Sequence, residues 1–471
     1  MRALKLSLAV VLVVVGGFGG YLAKTVKRPT WRPLVKVGAS ERLAFQHARV
    51  FTATDAGVLD DAVVLVEDGR ITTVGSGVVP PAGWKVVDAT GKTLLPGLID
   101  AHVHLINTAA PTWYLALPDA KHNLEAYLYA GVTSVVSMGD DPKQATALEQ
   151  GLGKGEFPGP RVIRAGSPIT RTGGHPEASK LALVPKIIQA GLPEFATQID
   201  TPEQAPAAVE EQLKGGASFV KMVVDDLPGG MPRLEEAHVC ALVKAAHAKG
   251  VKIVAHVGKA EDALLAAKCG VDALNHEPNL GPMSAEQVAQ FADAGIPVVP
   301  TMIIFEKTAQ FSEGHFGLSE LDRAVESPEI LEQLSDEATA KNTPHPFLTS
   351  WIAQMAKARA DRAATVKALH AAGVTILVGT DSSIIGCIAG ASLHQEMAML
   401  VAAGVPAEDV LLGVTTRNAH FFWKDPDFGT IEAGKRADLL LVEGDPLTDI
   451  TATSRIAVLV QGGRVVERLT H

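Results

Sequence analysis

Cysteine is scarce. The 471 residues hold three, Cys240, Cys269 and Cys387, and no Cys-x-x-Cys pair. Neither a disulfide framework nor a thiolate zinc site is indicated. No cysteine lies near the N-terminus, so lipidation there is excluded. Positive charge is in deficit: 42 Lys and Arg against 52 Asp and Glu give a net charge of −10. No basic run interrupts the body of the chain and a negative protein repels phosphate, so nucleic acid is not an expected partner. Charged residues make up only 20% of the chain and apolar ones 47%, which excludes disorder as a general description. The length is ample for a large buried core, as two or three ordinary domains or one long α/β barrel.

What is present begins with a long uncharged run. Arg2 and Lys5 precede residues 6–23, which carry no charge. The apolar centre has the length of a signal-peptide h-region, and Gly16-Gly17-Phe18-Gly19-Gly20 supplies small residues for cleavage. The same run is just long enough to cross a bilayer as an uncleaved anchor. The expectation is an exported, periplasmic or extracytoplasmic protein. Residues 1–37 would be signal or anchor plus linker, and its sole contact with a membrane.

Two hairpin-like segments lie at opposite ends of the body. Asp68-Gly69 separates two apolar runs, and Gly462-Gly463 separates two more. Such dipeptides are two-residue turn signals. They suggest one small β domain assembled from residues 38–94 and 428–471. Between them, apolar runs at 98–103, 133–138, 161–165, 219–224, 252–256, 273–275, 297–301 and 375–379 alternate with helical patterns. Gly250, Gly270, Gly295 and Gly373 stand where helices should stop before the next strand. Strand–helix alternation over 95–427 argues for a (β/α)8 barrel, with a doubly wound open sheet as the alternative. Residues 303–357 are too long for an ordinary connection after strand seven, and a cap over the strand ends is expected.

Barrel chemistry sits where strands end. Strand one ends Asp100-Ala101-His102-Val103-His104, and alternation puts both imidazoles on one face. Strand four ends at Phe219-Val220-Lys221, strand five at Val254-Ala255-His256, strand six at Leu274-Asn275-His276 and strand eight at Gly379-Thr380-Asp381. Each residue alone has an ordinary explanation as a structural histidine, a solvated lysine or a helix cap. Their joint placement on five strands does not. Imidazole and carboxylate together suit Zn²⁺, Mn²⁺, Co²⁺ or Ni²⁺.

This set resembles the amidohydrolase superfamily over nearly the whole chain after residue 40. Leu95-Pro96-Gly97-Leu98-Ile99-Asp100-Ala101-His102-Val103-His104 is similar to its strand-one motif. Ser218-Phe219-Val220-Lys221 resembles the position of its bridging lysine, carboxylated by CO2. His256 and His276 match its two single histidines, Gly379-Thr380-Asp381 its strand-eight aspartate, and residues 429–439 its return into the β domain. Arg171-Thr172-Gly173-Gly174-His175 and Leu393-His394-Gln395-Glu396 resemble the imidazolonepropionase-like and Xaa-Pro-dipeptidase-like branch.

The resemblance implies a (β/α)8 TIM barrel with a small β-sandwich domain built from both chain ends. It implies two divalent ions, zinc first, with Mn, Co or Ni as substitutes. His102, His104 and Asp381 would hold the more buried ion, His256 and His276 the exposed one, and a carbamate on Lys221 would bridge them. A hydroxide between two cations is nucleophilic at neutral pH. It would cleave an amide, peptide or cyclic amide bond, with Asp381 as general acid/base. His175, after strand three, would donate to the developing oxyanion or the substrate. The partner would be a small molecule with an amide-like bond; a homo-oligomer is an open possibility.

Two departures matter. Residues 222–231 lack the tyrosine that holds a substrate carboxylate in related dipeptidases, so a dipeptide preference does not carry over. True imidazolonepropionase uses one metal and lacks the lysine, whereas Lys221 argues for two. Arg171 reads either as a carboxylate clamp or as a solvated loop arginine. Asp225 and Asp226 read as amine contacts or exposed loop acids, and His394 as structural. The rival functions are a mononuclear deaminase, a lactone or ester hydrolase, a non-enzymatic scaffold and a solute-binding barrel.

Overall fold

The computed structural model describes residues 26–184, 186–189, 194–227 and 229–470. The uncharged run at 6–23, read as a signal or anchor, lies outside them.

Both turn dipeptides form hairpins. Asp68 and Gly69 have φ of 51° and 78°, the left-handed pair that a tight two-residue turn requires, between strands Val58–Glu67 and Arg70–Ser76. Gly462 and Gly463, at 54° and 73°, do the same between Ile456–Gln461 and Arg464–Arg468. The two hairpins belong to one nine-stranded sheet. They are joined through Leu439–Glu443, Lys92–Pro96 and Leu43–Phe51. Val35–Ser40 pairs with Arg464–Arg468, so the β unit begins slightly before residue 38. Alternation along Leu439–Glu443 assigns its two faces. Leu439 and Leu441 enter the β unit's own core with Phe45 and Val64, while Leu440 and Val442 join the barrel's outer core. Burial on both faces fixes the register, because a slip of one residue would exchange the two sets.

The second unit is a closed ring of parallel strands. Leu98–Val103, Val132–Ser137 and Arg161–Arg164 pair in order. A bridge from Ala165 to Phe219 leads to Val220–Val224, Ile253–Val257, Ala273–Asn275 and Val298–Val299. The extended segment after Val374 closes it through bridges Val298 to Ile376 and Ser382 to Val103. Ala101, Val136, Val254, Ala273, Val299 and Leu377 fill the interior, with Phe422 packed against them. This is the packed centre of a (β/α)8 barrel. Gly250, Gly270, Gly295 and Gly373 all have positive φ, as helix stops require.

Residues 303–357 are helical almost throughout. Ser319, Ser327 and Ser335 each accept a backbone N–H at the head of a short helix, from Asp322, Ile330 and Ala338. The flanking helices Met302–Glu313 and Pro346–Lys357 pack together. One expectation is corrected: Cys240 and Cys269 form a disulfide between the neighbouring helices Glu236–Ala248 and Ala260–Cys269. Their separation of 29 residues carries no motif, and the βαβ repeat is what brings the two helices together.

Candidate active site

The mouth of the barrel holds a cavity of about 180 Å³. Its lining includes His102, His104, His175, Lys221, His256, His276 and Asp381, so every residue singled out at the strand ends reaches one space. Neighbouring backbones set the first group. Asp381 N donates to His102 O at 2.8 Å, which places the aspartate beside strand one. His102 Nε2 and His104 Nε2 lie 3.2 and 3.0 Å from Asp381 Oδ1. Together the three form a cluster able to hold a metal ion. His276 Nε2 is 4.0 Å from the other carboxylate oxygen, and the His276 and His256 rings stand 4.3 Å apart.

Lys221 sits near the start of Val220–Val224 rather than at its end, yet its side chain is buried and lines the cavity. Its Nζ has no hydrogen-bond partner among the described residues. Burial lowers the ammonium to about 7, against the opposing pull of Asp381. Burial likewise lowers His102 to about 3 and His276 well below the ordinary imidazole value. Burial pushes the Asp381 carboxyl up, but His102 and His104 outweigh it and hold the group well below the usual carboxylate range. Neutral imidazoles, a neutral amine and an ionised carboxylate are the forms that bind divalent cations. Lys221 Nζ and His276 Nε2, without hydrogen-bond partners among the described residues and in a cavity lined by such groups, fit a metal centre.

His276, Thr301 and Asp381 all adopt left-handed backbone conformations, with φ of 73°, 55° and 63°. Such strain in non-glycine residues persists where the surroundings enforce it, often at functional sites. Here His276 Nδ1 lies 2.6 Å from Thr301 Oγ1, so the contact orients one strained residue by another.

Asp225 is no exposed loop acid. It is 2% exposed, and its Oδ2 lies 3.0 Å from His256 Nε2. That contact fixes the ring by the carboxylate behind it and leaves Nδ1 as the nitrogen not engaged by Asp225. Asp226 pairs with Lys259 at 2.7 Å. Arg171 turns to His238 and does not line the cavity. His394 is structural, bonded to Thr453 Oγ1 and Ala130 O between the β unit and the barrel. His175 Nδ1 is 2.6 Å from Ser179 Oγ, which is 3.0 Å from Pro176 O. Ser179 has one proton, so both bonds form together only if Nδ1–H donates. The free Nε2 is then an acceptor, and the expected donor role toward an oxyanion is not open to the neutral ring.

Sequence reasoning missed Asp100. Buried beneath the site, it accepts from Thr380 Oγ1 at 2.7 Å and from the His102 and Thr380 N–H groups, tying strand one to the closing segment. Its position inside the strand-one motif was visible; its partner 280 residues away was not.

Residues 93–466 match the family model for the amidohydrolase family. The chain belongs to the amidohydrolase family. An uncharacterized protein of Mycobacterium tuberculosis is 27% identical over 389 residues, covering 81% of this chain and 85% of its own length. An imidazolonepropionase of Sphingopyxis alaskensis is 35% identical over 101 residues, 21% of this chain and 25% of that protein. The crystal structure of a Xaa-Pro dipeptidase with bound methionine superposes with a TM-score of 0.72 at 23% identity, covering 90% of this chain and 99% of that one. This amidohydrolase accordingly has the barrel with a β-sandwich and is a hydrolase.

Proposed function

We propose that this amidohydrolase is a two-metal enzyme that cleaves a C–N bond (amide, peptide or cyclic amide) in a small molecule. Lys221 carries the proposal. A buried amine with no hydrogen-bond partner among the described residues, lowered to about 7 and facing a cavity lined by imidazoles, is poised to react with CO2. As a carbamate it would become an anionic bridge. His102, His104 and Asp381 would hold one ion, His256 and His276 the other, and Lys221 would span them. Bound there, two divalent cations supply Lewis acidity and make water acidic enough to be a nucleophile near pH 7.

The chain's own groups handle the proton. Asp381 is ionised at neutral pH and faces the cavity, so it can take a proton from the attacking water and return it to the leaving nitrogen. Burial holds the His175 ring neutral, down to about 3, with its Nε2 as an acceptor for a donor group of the substrate. Asp225 keeps His256 oriented. Export is part of the same reading, and the Cys240–Cys269 bond supports an oxidising compartment.

The test is elemental analysis with activity on a panel of N-acyl amino acids, dipeptides and lactones. Two equivalents of metal are expected in the native protein, with hydrolysis of amides. Lys221→Ala should lose much of the second equivalent and most activity, with partial rescue by short carboxylic acids. Full activity and two metals in Lys221→Ala would refute the bridge.

A further inference from the structure

We infer that Lys180 is the substrate's anion anchor, pairing its ammonium with a free carboxylate on one side of the scissile bond. This rests on the hydrolase reading above and adds the class of substrate: acylated amino acids or peptides with an unblocked C-terminal carboxylate and an apolar side chain.

Lys180 lies in the short helix Glu177–Ala182, on the loop that also carries His175, and lines the cavity. Apart from Lys221, it is the only lysine or arginine in that lining among the described residues. It makes no ion pair or side-chain hydrogen bond among the described residues; its ammonium sits 5.2 Å from the centroid of the Phe195 ring, which a cation favours.

The acids near it are already committed. Glu177 accepts from Phe195 N at 2.7 Å and Ala196 N at 3.1 Å. Asp140 accepts from Leu105 N, Ile106 N and Ser137 Oγ. Asp381 is engaged by His102 and His104. Those acids attract the ammonium only through space, so a ligand's anion at the cavity wall would be its direct partner. One lysine balances one charge, which favours a carboxylate over a phosphate dianion. The same lining includes the apolar side chains of Leu183, Phe305, Leu348, Trp351 and Ile385, so a substrate side chain seated among them should be apolar too. Arg171, the sequence's other candidate for a carboxylate, faces His238 instead.

The experiment uses the metal-loaded enzyme and two probes, N-acetyl-L-leucine and N-acetyl-L-leucinamide, in binding titrations and in hydrolysis assays. The wild type should bind the carboxylate about 10- to 100-fold better than the carboxamide, the range expected for a charge-assisted hydrogen bond. Lys180→Met should erase that preference, chiefly through KM, with metal content unchanged. Lys180→Arg should retain most of it. A preference that survives Lys180→Met, or equal binding of the two probes by the wild type, overturns the anchor. If the carboxylate preference appears and follows Lys180 but neither probe is hydrolysed, the anchor stands and the amide-hydrolase reading fails.

Discussion

The proposed mechanism gives Asp381 two duties that one substitution separates. One oxygen faces His102 and His104, the other faces His276, and burial holds the His102 and His276 rings well below the ordinary imidazole value. Asp381→Asn keeps the shape and a ligand oxygen but removes the proton acceptor. General-base catalysis is worth about 10²–10⁴-fold, so kcat should fall by at least that while bound metal falls much less; kcat and metal measured together decide it. Near-normal turnover would leave Asp381 a mere cap. For Lys221 the sign follows from its amine. Only the neutral form reacts with CO2, and the neutral form prevails above about pH 7. Reactivation of metal-stripped protein by zinc and bicarbonate should therefore quicken as pH rises through 7, and a rate flat from pH 6 to 8 would contradict this. Asp225→Asn should cost about 10–100-fold in metal affinity or activity, as losses behind a ligand do, readable by chelator competition. His102, His104, His256, His276 and Asp381 were legible in the sequence because each closes a short apolar run whose direction is known. The roles of Asp225, Arg171 and Lys180 were not, because each depends on how loops fold back over the barrel mouth.

At the scale of elements, the segment at 303–357 is built into the barrel as well as over it. Glu396, in the helix Ala391–Ala402, accepts from Met302 N at 3.1 Å and Ile303 N at 2.7 Å, capping the head of Met302–Glu313 from outside. The same helix puts Ile304, Phe305 and Thr308 into the cavity, and Pro346–Lys357 adds Leu348 and Trp351. Wholesale removal would strip buried apolar surface, so point substitution is the sharper test. Trp351→Ala should change KM and the order of preference among apolar substrates, leave bound metal unchanged, and alter kcat little. Equal kinetics on every substrate would deny the segment a role in selection. The sequence made this element visible only as a connection too long for its place. Its internal helices follow the serine caps at Ser319, Ser327 and Ser335, a local signal, whereas its position over the mouth depends on partners such as Glu396 far along the chain.

At the scale of the whole molecule, a β unit from both chain ends and a closed barrel share one apolar interface, and the disulfide staples the barrel's outer layer. Repetition made the architecture legible: glycines closing successive helices, matched turn dipeptides at either end, and strand ends rich in metal-binding side chains. Pairing of Cys240 with Cys269 lay beyond reach, because two cysteines in different helices announce nothing until the helices are neighbours. The bond joins two half-buried positions on adjacent helices and neither cysteine lines the cavity, so its contribution should be to stability alone. Closing a loop of 29 residues restricts the unfolded chain by about 2–4 kcal/mol. The double variant Cys240→Ser with Cys269→Ser should melt several degrees lower, and the wild type should approach it when reduced. kcat and metal content should match the wild type at a temperature where both are folded. A loss of activity at that temperature would mean that the helices Glu236–Ala248 and Ala260–Cys269 transmit their spacing to Lys221, His256 and His276 on the strands between and beside them. Unchanged melting would mean that the unfolded chain is already compact in this region, so that the cross-link removes little of its freedom.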